Sequence, residues 1–169
     1  KALAAKPDVL FVGGASEPTA LVVKQARELG FKGGFIVMDQ AKLDEMARVV
    51  GGYATLEGAI GVLPVSEDPG TANKAFIERF GKMYAGRMPG SEALWNYTAV
   101  HATAKAMQLA GTATDPKAIQ AQYNAAYKAL PAEVNPGGVQ GVDAKGGTLT
   151  SERAAAVKDG KVVVIKASR

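Results

Sequence analysis

Cysteine is absent from the chain, and histidine occurs only once. The lack of cysteine excludes disulfides, thiol catalysis and zinc sites built on thiolates. A single histidine also excludes metal sites that need two or more imidazole ligands. We predict no metal site and no cofactor for this chain.

Long apolar runs and strong charge are absent as well. No stretch is long enough to predict a transmembrane helix. Residues 1–6 are too short and too weakly apolar for a signal peptide, so we expect that any export signal has been removed or lies outside this chain. The formal net charge of the 169 residues is +4, and the basic residues are spread along the chain. Because nucleic-acid binding needs a clustered basic surface, no nucleic-acid partner is predicted.

Apolar residues make up 47% of the sequence, which is enough for a packed core. Short apolar runs at 9–12, 35–38 and 58–63 are separated by segments with the apolar stripe of a helix, one after Pro18 and one at 43–50. This alternation predicts a βαβαβ arrangement with a parallel sheet. Since the first run has no polar alternation, we expect its strand to be covered on both faces.

The remainder of the chain predicts helices at 71–84, 91–110 and 115–130, the last with Asp115 as its N-cap. A glycine-rich stretch at 135–150 is predicted to be mostly loop, and Asp159 and Gly160 lie between two apolar runs, as in a β-hairpin. We thus expect three segments. They are a βαβαβ segment at 1–65, a helical segment at 66–135, and a glycine-rich connection with a terminal hairpin at 136–169.

Gly13 and Gly14 end the first predicted strand and open the first predicted helix. Ligands of open α/β sheets lie outside the carboxyl ends of the strands, where helix N-termini present free N–H groups and a positive dipole. This turn is therefore the first candidate binding site, with Ser16 or Glu17 as the predicted helix cap. The alternative is that the glycines only permit a tight turn, and the dinucleotide pattern G-x-G-x-x-G is absent.

Five stretches carry a family resemblance: PDVLFVGG (7–14), KQARELGF (24–31), YTAV (97–100), GVQGVDAKGG (138–147) and VKDGKVVV (157–164). In this order they resemble the type I periplasmic binding proteins of the branched-chain amino acid (Leu/Ile/Val-binding) ABC transporter class. The resemblance implies two Rossmann-like lobes that close around a ligand, an ABC permease as partner and a periplasmic location.

The resemblance covers nearly the whole chain but begins about halfway through such a protein. It therefore implies an incomplete α/β fold, the C-terminal half, whose partner is the missing N-terminal half. Residues 1–65 and the terminal hairpin would belong to the second lobe, and residues 67–135 to the first. The three later helices would then carry apolar stripes meant for a sheet that the chain lacks, so we expect uncovered apolar side chains on them.

The resemblance also implies a set of ligand-binding residues. Gly14, Ala15 and Ser16 would line the cleft, Asp39 would bind a ligand ammonium group, and Gln40 would be a weaker neighbour. Asp39 favours an amino acid, whereas the small Ala15 and Ser16 leave room for a bulkier ligand such as an aromatic carboxylic acid. The alternatives are that Ser16 only caps a helix, and that Asp39 is an exposed residue at a strand end or a cap for the helix after it.

Aromatic residues and catalytic motifs complete the predictions. Trp95 and Tyr97 could line an apolar ligand pocket, although such residues more often belong to the core. The sequence contains no G-x-S-x-G elbow, Walker loop or H-E-x-x-H motif, so an enzyme is not expected. The favoured function is the solute-binding component of an ABC importer. The alternatives are a Rossmann-like enzyme that binds a nucleotide and a ligand-sensing domain of a receptor or regulator.

Overall fold

The computed structural model describes residues 1–38, 40–68, 72–150 and 153–165. The chain divides into two compact units, one formed by residues 1–67 with 152–169 and the other by residues 68–151. Among the described residues, no helix is both long and apolar enough to cross a membrane.

The regular elements alternate early in the chain and become helical later. The strands are β1 (Val9–Val12), β2 (Gly34–Val37), β3 (Ala59–Val62), β4 (Gly141–Val142), β5 (Thr148–Leu149), β6 (Ala154–Lys158) and β7 (Lys161–Val164). The α-helices are α1 (Ser16–Glu28), α2 (Leu43–Val50), α3 (Lys74–Met83), α4 (Ser91–Ala110) and α5 (Pro116–Lys128). Short 3-10 helices span Ala2–Ala5, Tyr53–Leu56, Val65–Glu67 and Ala132–Val134.

The first unit is a five-stranded sheet with the order β1-β2-β3-β6-β7. Strands β1, β2 and β3 are parallel, whereas β6 and β7 add to β3 as an antiparallel hairpin. Because consecutive parallel strands lie side by side and their crossovers are right-handed, α1 and α2 pack on the same sheet face. The predicted parallel-rich α/β fold is confirmed.

The core of the first unit lies between that sheet face and the two helices. Its largest fully buried side chains come from the sheet, from both helices and from the 3-10 helix at Tyr53–Leu56: Val23, Phe35, Leu43, Met46, Leu56 and Val157. The opposite sheet face is not covered within the described part of the chain. The exposure of β1 alternates along the strand, and Phe11 is 65% exposed. The expectation that β1 is covered on both faces was wrong for this chain, because both crossover helices lie on one side.

Arg27 fixes the end of α1 to the sheet. Its Nη1 donates to the carbonyl oxygens of Phe31 and Gly33 at 2.8 and 2.9 Å, and its Nη2 donates to the carbonyl of Glu57. The guanidinium also lies 4.6 Å from the ring centre of Phe35. Both terminal nitrogens of the planar guanidinium group donate hydrogen bonds while the group lies near an aromatic ring, and the single ammonium group of lysine cannot reproduce this arrangement. Partial burial lowers the pKa of Arg27, and the charge of Glu57 opposes that shift.

The terminal hairpin has the predicted turn at Asp159 and Gly160, with φ values of 53° and 70°. Both backbone N–H groups donate to the Glu57 carboxylate at 3.0 Å. Glu57 lies roughly a hundred residues earlier in the chain, so this contact attaches the hairpin to the connection before β3.

The second unit is mainly helical. Helices α4 and α5 pack through two small clusters, one around Ala102, Tyr127 and Val139 and the other around Ala106, Ile119 and Ala126. Asp115 caps α5 as predicted, because its Oδ1 accepts from the N–H groups of Lys117 and Ala118. Strands β4 and β5 form a two-residue ladder inside the glycine-rich stretch predicted as mostly loop.

Apolar side chains remain exposed on two helices of the second unit. Met83, at the end of α3, is 72% exposed, and Val100, in the middle of α4, is 69% exposed. The expectation of uncovered apolar side chains on these helices therefore agrees with the described structure.

Candidate functional site

The carboxyl ends of β1 and β2 lie side by side at one edge of the sheet, and a helix begins shortly after each. Helix α1 follows the glycine pair, and α2 begins directly after residues 40–42. Parallel pairing brings both helix N-termini to the same edge, which is the arrangement expected of a ligand crevice in an open α/β sheet.

The turn after β1 needs glycine at only one of its two positions. Gly14 has a φ of +148°, and a Cβ atom there would lie 3.2 Å from Thr19 Oγ1. At Gly13 the nearest side-chain atom to such a Cβ would be Met38 Cγ, at an ordinary 3.6 Å. The conformation of the turn therefore depends on Gly14.

Ser16 joins the first turns of the two helices. Its hydroxyl donates to the Glu45 carboxylate at 2.7 Å and lies 3.1 Å from the carbonyl oxygen of Gln40, and it accepts from the N–H of Lys42 at 3.1 Å. A hydroxyl has one proton and two acceptor lone pairs, so these contacts occupy most of its capacity. Ser16 thus positions the edge of the crevice.

The N-cap of α1 is Ala15, with no side-chain cap hydrogen bond. The prediction of Ser16 or Glu17 as the cap was wrong, because the helix begins at Ser16 and the serine hydroxyl turns toward α2. Ala15 is exposed at this position. The start of α1 therefore presents backbone beside a small methyl group.

Carboxylates dominate the polar side chains at this edge. Glu17 lies in the first turn of α1, and Asp44 and Glu45 lie in the first turn of α2. Such residues compensate the positive end of a helix dipole. Sequence reasoning missed Glu45 as a member of the site, although its place in a helical first turn was visible from the sequence. These carboxylates give this edge of the sheet negative charge.

A buried polar cluster lies behind α2. Asp44 is 6% exposed; its Oδ2 accepts from Ser66 Oγ at 3.3 Å and lies 3.8 Å from Arg48 Nη2. Nearby, the Tyr53 hydroxyl donates to the Glu67 carboxylate. Burial, and then that hydrogen bond, raise the pKa of Tyr53 well above its ordinary value. These contacts hold the Val65–Glu67 turn, where the chain leaves the first unit, against α2 and the Tyr53–Leu56 turn.

Asp39 and Gln40 are the two site residues predicted after β2. Asp39 lies outside the described residues. Gln40 is exposed, and its carbonyl oxygen, rather than its side chain, lies within hydrogen-bond distance of Ser16. The structure therefore brings Gly14, Ala15, Ser16 and Gln40 together at one edge of the first unit.

Trp95 and Tyr97 belong to the second unit, on α4. The indole packs against the backbone of Gly137, where an added Cβ would lie 2.6 Å from Trp95 Cδ1. The Tyr97 ring centre lies 5.0 Å from that of Phe76, and the Tyr97 hydroxyl accepts a hydrogen bond from Arg79 Nη2 at 3.1 Å. Tyr97 also lines a mostly apolar cavity of 240 Å³ between α3 and α4. Both aromatic residues thus have packing partners within their own unit.

Comparison with known proteins gives one family and several solved structures. The sequence profile described as "Periplasmic binding protein" matches residues 1–161. A leucine-binding protein, LivK, from Thermotoga maritima has 24% identity and a TM-score of 0.73, over 98% of this chain and 45% of that one. A substrate-binding periplasmic protein from Ralstonia solanacearum has 17% identity and a TM-score of 0.75, over 98% and 47%.

A third structure is the branched-chain amino acid transporter substrate-binding protein LivJ from Streptococcus pneumoniae, in complex with isoleucine. It has 22% identity and a TM-score of 0.70, over 94% of this chain and 44% of that one. The chain thus spans about half the length of the solved structures it matches. No curated protein matches it. The family resemblance predicted from the sequence is confirmed, and the chain belongs to the periplasmic binding protein family.

Proposed function

We propose that this chain is part of an extracytoplasmic solute-binding protein that delivers a small carboxylate-bearing molecule, an amino acid or an aromatic acid, to an ABC permease. The observation that carries the proposal is membership of the periplasmic binding protein family over residues 1–161. The solved structures named for leucine and for branched-chain amino acids support the same ligand class.

The geometry of the sheet edge suits such a ligand. The exposed start of α1 at Ala15 offers backbone N–H groups to a carboxylate. The carboxylates of Glu17 and Glu45, and the position of Asp39 in the sequence, provide negative charge for an ammonium group. An amino acid zwitterion satisfies both demands, and closure of a second lobe would then bury it.

A binding panel tests the proposal. The protein is titrated by calorimetry and by thermal shift with leucine, isoleucine, phenylalanine, benzoate and AMP. Binding of one of the amino acids supports the proposal, and binding of benzoate alone supports it with an aromatic acid as the ligand. Binding of AMP alone overturns it in favour of a nucleotide-binding enzyme, and a panel without any binding overturns it for this chain.

A pair of variants locates the site. Ala15→Phe places a large ring at the exposed start of α1, and Leu29→Phe places one at the opposite end of the same helix, which is also exposed. We expect Ala15→Phe to weaken binding at least roughly tenfold through steric exclusion, whereas Leu29→Phe leaves it unchanged. Equal effects of the two variants would place the ligand elsewhere.

A further inference from the structure

A groove in the second unit lies between α5 and the β4–β5 hairpin. Its volume is 530 Å³, which falls within the range of about 300–1,000 Å³ that small-molecule sites occupy. All the residues that line it lie between positions 120 and 148, so the groove belongs to one unit alone. The candidate site of the first unit uses none of these residues, and the proposed function therefore leaves the groove unexplained.

Gly141 and Asn124 set the distance between the two walls of the groove. Gly141 is buried with a φ of +154°, and a Cβ atom at this position would collide with Asn124 Oδ1. Glycine thus allows the hairpin to approach α5 closely, and Asn124 Oδ1 accepts a hydrogen bond from the N–H of Val142 at 3.3 Å. Because Oδ1 makes this contact, both N–H donors of Asn124 Nδ2 are left for another partner.

Asp143 orders the hairpin loop at the other wall. Its Oδ1 accepts from the backbone N–H groups of Lys145 and Gly147, both at 2.8 Å. These bonds stabilise the carboxylate and leave its second oxygen as an acceptor. Of the described residues that line the groove, Asp143 and Lys145 are the two that carry charge, and their charges cancel.

Two tyrosine rings form the apolar part of the groove. The ring centres of Tyr123 and Tyr127, one turn apart on α5, are separated by 6.2 Å. The Tyr123 hydroxyl contacts that of Thr103 at 2.9 Å. Tyr127 is only 7% exposed, and burial raises the pKa of its hydroxyl, which therefore remains a protonated donor.

The chemistry of these groups defines a class of ligand. Opposite charges that cancel do not favour an ion of either sign. Amide, ammonium and phenol donors stand beside carboxylate and amide acceptors, which suits hydroxyl groups because each hydroxyl both donates and accepts. The tyrosine rings offer apolar surface to C–H groups.

We propose that this groove binds a neutral sugar, with sugar hydroxyls on Asn124, Asp143 and Lys145 and the apolar face of the sugar ring against the two tyrosines. The site lies wholly within the second unit. It therefore does not rest on the proposed function, which concerns the sheet edge of the first unit.

Chemical-shift mapping by nuclear magnetic resonance tests the proposal. The nitrogen-15-labelled protein is titrated with galactose, N-acetylglucosamine and maltose, and with glutamate and inorganic phosphate as charged probes. We expect at least one sugar to cause saturable shifts at the backbone amides of Lys145 and Gly147 and at the side-chain amide of Asn124. The charged probes should leave these signals unchanged.

Two pairs of variants locate the sugar. Ala121 and Ala125 are both exposed on α5, but only Ala121 lines the groove. Ala121→Phe should weaken sugar binding at least roughly tenfold by filling the groove, whereas Ala125→Phe should leave it unchanged. Lys145→Ala should weaken binding about tenfold through loss of a charged hydrogen-bond donor, and Lys117→Ala, exposed at the start of α5, is its control.

Four results would overturn the proposal. They are the absence of shifts with all three sugars, shifts confined to the first unit, saturation by glutamate or phosphate but by no sugar, and equal effects of Ala121→Phe and Ala125→Phe. Because the amino acid panel concerns the first unit and these signals belong to the second, failure of either test leaves the other unaffected.

Discussion

Gly33 lies where two backbone segments meet just before β2. A Cβ atom at this position would lie 2.1 Å from the carbonyl oxygen of Asp8 and 2.5 Å from the ring of Phe31. Neither neighbour can move freely, since Asp8 accepts a hydrogen bond from Gly34 and Phe31 is buried. The close approach, and not a turn conformation, explains the glycine.

We expect Gly33→Ala to lower the free energy of unfolding by about 1–3 kcal/mol, because the added methyl group overpacks this contact. Gly13→Ala is the matched control, since its Cβ would find ordinary contact distances. It should change stability by less than about 0.5 kcal/mol. Urea unfolding followed by circular dichroism measures both, and equal effects would contradict the assignment.

Tyr53 is expected to make the stability of the fold depend on alkaline pH. Burial raises its pKa in the folded state, and the hydrogen bond to Glu67 raises it further. The folded chain therefore holds the phenol proton more tightly than the unfolded chain. The neutral phenol of Tyr53 therefore stabilises the folded state fully below about pH 10, the ordinary tyrosine pKa, and this stabilisation is lost as the pH rises further.

Phenolate absorbance tests this expectation. At about pH 10.5, above the ordinary tyrosine pKa, Tyr53→Phe should leave the absorbance of the folded protein unchanged. The same substitution should remove one tyrosine's contribution from the protein unfolded in urea. A loss of absorbance already in the folded protein would mean that Tyr53 ionises normally and that the contact with Glu67 does not protect its proton.

Among the elements, the β6–β7 hairpin depends on a contact with a distant residue. The Glu57 carboxylate accepts from the N–H groups of Asp159 and Gly160, both 3.0 Å away. Asp-Gly at the turn was enough to predict the hairpin, because both residues tolerate positive φ. Nothing in the local sequence indicated that Glu57 would bind the turn.

Glu57→Ala should therefore cost about 1 kcal/mol of stability, a value reduced by the solvent around this site. It should also speed hydrogen exchange at the amides of Asp159 and Gly160. Glu28→Ala is the control, since Glu28 makes an exposed contact of 4.0 Å with Lys24, far from the hairpin in the sequence. If the exchange rates at the turn were the same in both variants, the Glu57 contact would have no role in the hairpin.

For the molecule as a whole, the chain has more apolar surface than its own elements cover. Phe11 and Ile36 are exposed on the uncovered side of the sheet, and Met83 and Val100 are exposed on helices of the second unit. Patches of this kind promote association in solution. We therefore expect the 169 residues alone to self-associate and to bind hydrophobic dyes.

Val100→Lys should reduce this association and change stability by less than about 0.5 kcal/mol, because the side chain is already in solvent. Ala102→Lys, two residues further along α4, should unfold the second unit, because Ala102 is completely buried. Sedimentation velocity and dye fluorescence measure the outcome. An unchanged sedimentation profile in Val100→Lys would exclude this surface as the cause of association.

The sequence by itself determined the order of the α-helices and of every strand except β4 and β5, the α/β class, the Asp115 cap, the terminal hairpin and the family resemblance. These depend on local patterns: apolar periodicity, capping residues and turn residues. Only the tertiary structure decided that Ser16 contacts Glu45, that Glu57 binds the hairpin turn and that one side of the sheet is open. Each of these joins residues far apart in the chain or depends on which sheet face a helix covers, and local periodicity carries no information about either.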